Sequence, residues 1–224
     1  MDGLADILLP KERKVRFLET LGPDGLFTKI PRSENFDFDT DKIKAIFNYK
    51  TVLCRQAIWE IKYRANAKLI SDFSRLLYEF ILEELGDLET FNNFTNIILI
   101  PIPSSKERQR EKGFNQCVLI TRELLKIDRE RNSHIFTLSE NFLVKEKDTA
   151  HQARVSNRRL RLKNLINTFS VNNTGLTDFG KLSEYSFIII DDVITTGATM
   201  TEAFRTLKSA GVSLSKIRGF ALAH

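Results

Sequence analysis

The sequence predicts an α/β fold in which helices flank a mostly parallel central sheet. Three observations carry this reading. Asn96–Pro103 (NIILIPIP) and the apolar start of Phe187–Thr199 (FIIIDDVITTGAT) are short, bounded runs, as strands buried on both faces require. Stretches with helical spacing alternate with them. The second run also passes directly into a glycine-containing turn and a further helical pattern, Met200–Ala210, which is a strand–turn–helix unit.

The elements follow in order along the chain. Residues 1–48 contain PKERK, a GPDG turn and the acidic ENFDFDTD, and read as a small irregular lead-in to a domain over 49–224. From Thr51 through Arg64 the apolar positions Val52, Ile58, Trp59 and Ile61 recur at helical spacing, and a second helix is predicted over Ala67–Leu85. Asn96–Pro103 is a buried strand ending in a loop. Asn115 is suited to cap a helix running to about Lys126, and Phe136–Val144 reads as one further strand. After Phe187–Thr199 and its helix, Gly211 is a helix stop, and a final strand is predicted near Lys216–Leu222.

Composition narrows the function classes. A chain of 224 residues with 42% hydrophobic and 28% charged residues is long enough for a full core and ordinary for a globular protein. No apolar stretch approaches membrane-spanning length, and Pro101 interrupts the richest one, so no membrane insertion is expected. The start, MDGLADILLPKERK, carries acids where a signal peptide needs basic residues, and a cytoplasmic location is expected. Cys54 and Cys117 lie far apart without a Cys-x-x-Cys pattern, which fits reduced thiols and no zinc. Between Lys145 and Leu165 seven basic residues face two acidic ones, a local excess equal to the net charge of +5 of the whole chain. That concentration points to one anionic ligand or partner at one place. The same stretch contains no aromatic residue to stack a base, which weakens a nucleic-acid reading of it.

Chemistry concentrates after Phe187. The unpaired N–H groups of a helix's first turn form an anion site, to which Thr195, Thr196 and Thr199 add hydroxyls beside Ala198. Gly197 permits positive φ or a close approach to phosphate. Asp191 and Asp192 would repel a bare phosphate, yet a ribose 5-phosphate also offers its 2′- and 3′-hydroxyls as donors to acids placed there. This spacing resembles the phosphoribosyl pyrophosphate (PRPP) site of type I phosphoribosyltransferases.

Further segments, IWEIKYRA (Ile58–Ala65), IPIPSSKERQREKGFNQ (Ile100–Gln116), KEKDTAHQ (Lys145–Gln152) and RLKNLINTF (Arg161–Phe169), together resemble the ComF family, named for a bacterial competence factor. The resemblance implies a type I phosphoribosyltransferase-like fold that binds PRPP or a related ribose 5-phosphate ligand. It implies transfer of the phosphoribosyl group to an acceptor, with release of pyrophosphate. Mg²⁺ is expected to arrive with PRPP rather than on assigned protein ligands. Asp191 and Asp192 are then the catalytic pair, Thr195–Thr199 holds the 5′-phosphate, and Ser104, Ser105 and Lys106 occupy the pyrophosphate side. The basic stretch Lys145–Lys163, with Gln152, Arg154, Arg158, Arg161 and Lys163, resembles a mobile loop that closes over substrate. The resemblance also leaves open a non-catalytic PRPP-binding regulator and a DNA-uptake accessory binding single-stranded DNA or competence proteins. Two departures stand out. The lead-in lacks the cysteines of the family's zinc knuckle, so no zinc is expected, and Lys112, Lys145 and Lys147 stand where arginines are expected.

Overall fold

Five parallel strands in the order β1-β7-β6-β2-β3 form the central sheet of the computed structural model, in which residues 11–33, 41–92, 94–146, 168–172 and 181–224 are described. They are β1 (Ile43–Phe47), β2 (Ile97–Pro101), β3 (Phe136–Leu138), β6 (Ser186–Val193) and β7 (Ile217–Ala223). A separate antiparallel pair joins β4 (Leu143–Lys145) to β5 (Phe169–Val171). The sheet is parallel throughout, a stronger result than the mostly parallel expectation. Within the expected lead-in, β1 supplies an edge strand, and helix α1 (Lys11–Lys29) is broken where Gly22 takes φ 63° before Pro23.

Strand alternation sorts the core into two layers. Ile97, Leu99, Ile188 and Ile190 face a cluster with α1, α2 (Val52–Arg64), α3 (Ala67–Asn92) and α5 (Gln116–Glu130). Ile98, Ile100, Phe187 and Ile189 face the other side with α6 (Ala198–Ser209) and residues of β4 and β5. Apolar side chains are thus required at every position of β2, which is why the run is continuous rather than alternating.

Local signals explain most boundaries. Thr51 stands at the N-cap position of α2, and Ala65 closes it in the left-handed region with φ 48°. The Asn66 side chain accepts from the N–H of Leu69 at the start of α3. That helix continues past Leu85 to Asn92, because a single interior glycine, Gly86, costs only about 1 kcal/mol. Asn115 caps α5 by accepting from the Cys117 N–H at 2.9 Å, and the helix runs a turn beyond Lys126. The expected single strand over Phe136–Val144 is corrected to two, β3 and β4. The polar Ser139–Asn141 turns the chain out of the main sheet, and Phe142 and Leu143 bury against its other side. Buried Asp128 fixes the β3 end by accepting from Tyr78 Oη and from the N–H groups of Ile135 and Phe136.

Topology opens the cleft. From β2 the chain moves outward to β3, and from the adjacent β6 it moves outward the other way to β7. The connections after β2 and β6 therefore diverge, leaving a crevice at the carboxyl ends of these strands, the usual ligand position on an open parallel sheet.

Gly219 in β7 sets how closely α6 approaches. A Cβ there would lie 2.8 Å from Met200 Cγ and 3.2 Å from Phe204 Cε1. Gly219→Val is expected to lose about 1–3 kcal/mol in denaturant unfolding. Met200→Ala in the same chain should recover part of that loss, whereas equal costs in both backgrounds would contradict this packing.

Candidate functional site

The cleft at the ends of β2 and β6 has a volume of about 310 Å³. The last turn of β6 supplies its floor. Successive strand residues point to opposite faces, so Asp191 turns toward Cys117 at the start of α5 while Asp192 turns toward Lys62 near the end of α2. Both carboxylates are buried, at 8% and 3% exposure. The Cys117 Sγ–H donates to Asp191 Oδ1 at 3.6 Å, and the Asp192 N–H donates to the same oxygen at 2.9 Å. Lys62 Nζ lies 3.3 Å from Asp192 Oδ2. That oxygen is buried and accepts no well-formed hydrogen bond, so the ion pair is its polar contact among the described residues.

The two acids are driven apart electrostatically. Burial, reinforced by the neighbouring Asp192 charge, raises the Asp191 carboxyl from 3.8 to about 8. Burial also opposes ionisation of Asp192, but the Lys62 ammonium outweighs it and holds this carboxyl below its ordinary value. Lys62 is raised in turn, chiefly by Asp192 and against its own desolvation. Near neutral pH the pair therefore carries one proton, on Asp191, and one negative charge, on Asp192. Burial and then the Asp pair push the Cys117 thiol well up, so it is a donor here and not a thiolate.

The walls come from two loops. On the β6 side Thr195, Thr196, Ala198 and Thr199 line the cleft, and Gly197 takes the left-handed conformation, φ 72°, at the N-cap of α6. Gly197 at the N-cap position has no side chain with which to cap α6, and the first turn of the helix borders the cleft through Ala198 and Thr199. On the β2 side Ser104 and Ser105 line the cleft, while Lys106 lines an adjoining cavity of about 380 Å³. Ser105 caps a short helix α4 (Lys106–Lys112) by accepting from the Arg108 N–H at 3.2 Å, and Ser104 Oγ is buried without a hydrogen-bond partner among the described residues. The Asn115 side chain ties this loop to α5 by donating to the Ile102 carbonyl at 2.9 Å.

Four cations, Lys62, Arg108, Lys112 and Lys145, reach the cleft. Lys112 is lowered by burial and then by repulsion from Lys62 and Arg108, which marks a concentration of positive charge on this wall of the cleft. Its Nζ also lies 4.3 Å from the Tyr63 ring centroid. The residues expected from sequence thus meet in one place, except Lys106 beside it. Gln152, Arg154, Arg158, Arg161 and Lys163, with most of the expected closing loop, lie outside the described residues. No local sequence signal assigns a role to Lys62, Arg108 or Cys117. Lys62 lay inside the quoted IWEIKYRA, whose apolar partners Ile58 and Ile61 are buried, so its place on the sheet-facing helix was the available signal.

Cys117, Asp191 and Asp192 bring possible ligand atoms within 4.8 Å of one another. Carboxylate oxygens suit a hard cation such as Mg²⁺, whereas a buried, protonated thiol does not. Asp192 Oδ2 already faces the Lys62 ammonium, so the pair is not a vacant, fully protein-ligated cation cage.

An all-parallel sheet with an acid pair at its switch point and a phosphate-type turn beside it defines a type I phosphoribosyltransferase-like fold. Comparison with known proteins agrees. The chain is 27% identical over 176 residues to competence protein ComFC of Bacillus subtilis (strain 168), a match covering 77% of this chain and 60% of that protein. It is 30% identical to competence protein F of Haemophilus influenzae, over 56% of this chain and 50% of that one. It is also 30% identical to the DNA utilization protein YhgH of Escherichia coli O157:H7, over 71% of this chain and 63% of that one. No family model matches the chain. It belongs to the ComF family, and it matches between half and two thirds of the length of these curated relatives. Among the described residues no helix is long and apolar enough to cross a membrane.

The Asp191 carboxyl makes stability depend on pH with a definite sign. Its folded value of about 8 lies above the ordinary 3.8, so between these values the folded chain holds a proton that the unfolded chain has released. The contribution is full below the lower value and is lost as pH rises through the upper one. Asp191→Asn removes this dependence and should flatten the thermal-unfolding profile between pH 5 and 9. At pH 9 a gain over wild type of at least about 2–4 °C is expected, the shift that 1 kcal/mol makes in a chain of this size. A variant that follows the wild-type profile in parallel would contradict the protonated state of Asp191.

Proposed function

We propose that the cleft binds PRPP with Mg²⁺ and that the protein transfers the phosphoribosyl group to an acceptor with release of pyrophosphate. One observation carries this reading: the buried Asp191-Asp192 pair and the left-handed Gly197 turn open into the same cleft, with four cations at its rim. A ligand that fits needs an anionic end for the α6 N-terminus, hydroxyl donors for the acids, and a second anionic end for the cations. A ribose 5-phosphate bearing a diphosphate has all three.

In this reading the 5′-phosphate accepts from the backbone N–H groups and threonine hydroxyls of Thr195–Thr199. The ribose hydroxyls donate to Asp192 and share the proton of Asp191. Ser104, Ser105, Arg108 and Lys112 receive the diphosphate, and bound Mg²⁺ would supply further charge neutralisation to the leaving group. As the C1′–oxygen bond breaks, its electron pair leaves with pyrophosphate. The negative charge held on Asp192 stabilises the oxocarbenium-like sugar that remains. The basic residues of Lys145–Lys163 serve as the cover that excludes water from this cation.

A second reading, contact with single-stranded nucleic acid, is favoured by a different surface. The Trp59 and Tyr63 rings on α2 lie 5.4 Å apart at a 35° tilt, with Arg64 over the indole and Lys112 over the half-exposed tyrosine ring. Interleaved aromatics and cations of this kind suit stacked bases, and the curated relatives carry names that refer to competence and DNA utilization.

Titration calorimetry tests the leading reading. Mg-PRPP should bind the wild-type chain, and Gly197→Val should weaken binding at least about tenfold, the equivalent of 1.4 kcal/mol. At φ 72° a β-branched residue is strained, and it also blocks the approach of phosphate. Thr199→Val, which keeps the backbone, should weaken binding less. Folded variants with wild-type affinity, confirmed by circular dichroism, would rule out the phosphate assignment. Single-stranded DNA binding that falls steeply with salt, with no response to PRPP, would favour the second reading instead.

A further inference from the structure

We infer that Lys62 couples the two ends of the ligand by exchanging partners, leaving Asp192 for the diphosphate when the ribose hydroxyls take its place. This rests on the reading of the cleft as a phosphoribosyl diphosphate site.

The geometry sets up the exchange. Asp192 is fixed at a strand end with its side chain 5% exposed, whereas Lys62 reaches it from α2 on a flexible stem with its side chain 28% exposed. The mobile partner of the ion pair is therefore the ammonium. Its target, Asp192 Oδ2, accepts no well-formed hydrogen bond, so the contact at 3.3 Å is a charge contact that a ligand hydroxyl can improve on. Lys62 also lines the same cleft as Arg108 and Lys112, and Lys62 and Arg108 stand close enough to Lys112 to repel its charge. An incoming diphosphate thus meets three convergent cations, one of which is already paired with an acid.

Each ligand end then assists the other. In the free cleft the ammonium covers the carboxylate oxygen that ribose hydroxyls need. A diphosphate draws Lys62 toward itself and exposes Asp192 Oδ2. A hydroxyl donor on Asp192 in turn frees Lys62 for the diphosphate, so the coupling runs equally in both directions. It favours a ligand that carries both groups over either fragment alone. Direct repulsion between two anionic fragments acts the other way and Mg²⁺ offsets it with or without Lys62, so the loss of coupling on replacing Lys62 is what marks the exchange.

The test uses the two fragments separately. Ribose 5-phosphate is titrated calorimetrically into the full chain at fixed Mg²⁺, with and without saturating inorganic pyrophosphate, and the experiment is repeated with Lys62→Met and Lys62→Arg. In wild type, pyrophosphate should tighten ribose 5-phosphate binding by about fivefold or more, the lower end of coupling between sites. Lys62→Met should abolish or reverse this effect, and Lys62→Arg, which retains the charge, should restore part of it. Circular dichroism and thermal unfolding establish that each variant is folded. Should Lys62→Met prove unfolded, Lys62→Arg still decides, because it must retain favourable coupling. Undiminished coupling in folded Lys62→Met, loss of coupling in folded Lys62→Arg, or wild-type fragments that bind independently would overturn the exchange while leaving the cleft a ribose phosphate site. Failure of wild type to bind ribose 5-phosphate at all would overturn the proposed function, and the exchange with it.

Discussion

Two carboxylates side by side at a buried strand end cannot both be charged without a cation, and the arrangement of the cleft depends on how this constraint is met. Lys62 supplies the cation at 3.3 Å and stabilises the charge on Asp192, while desolvation leaves Asp191 protonated near neutral pH. Neighbouring groups of identical type thereby acquire different chemistry, one accepting with full charge and the other able to donate. Cys117, packed beneath Asp191 as a neutral thiol, adds a donor without adding charge.

Meeting that constraint requires elements far apart in sequence. The acids come from β6, their cation from α2, the thiol from the start of α5, and the second anion wall from the β2–α4 loop. Divergent connections after β2 and β6 gather these pieces at the carboxyl ends of the two strands. Two apolar layers hold the strands there, and the N-cap Gly197, which carries no side chain, brings the first turn of α6 to the cleft. Stability and site chemistry therefore oppose each other at Asp191, a buried acid that costs the fold free energy as it ionises.

The sequence made some of this legible for physical reasons. β6, its acids and the Gly197 turn are contiguous, so one thirteen-residue string carried strand, charge and conformational freedom together. Asn115 marks a helix start because an N-cap is local, and the helix after Thr51 is legible from its apolar spacing. Helix α4 escaped notice because KERQREK buries no residue and has no apolar period, leaving Ser105 and Gly113 as its only marks. The single strand read over Phe136–Val144 failed because strand pattern alone does not say which sheet each half joins. Lys62 could be placed on a helix, but not next to an acid 130 positions away, since that contact is made by the sheet order. Lys112, which departs from the expected arginine, stands over the Tyr63 ring at the rim, where a point charge serves without a planar fork.

The central claim is that the acid pair and the Gly197 turn act as one ribose phosphate site. Amide chemical shifts followed by NMR during titration with ribose 5-phosphate test it most directly, because they report where the ligand sits whatever reaction follows. The account predicts saturating shifts at Asp191–Val193 and at Thr195–Thr199, with the same apparent affinity for both groups. Shifts confined to the basic residues of the rim, or separate affinities for the two groups, would contradict it.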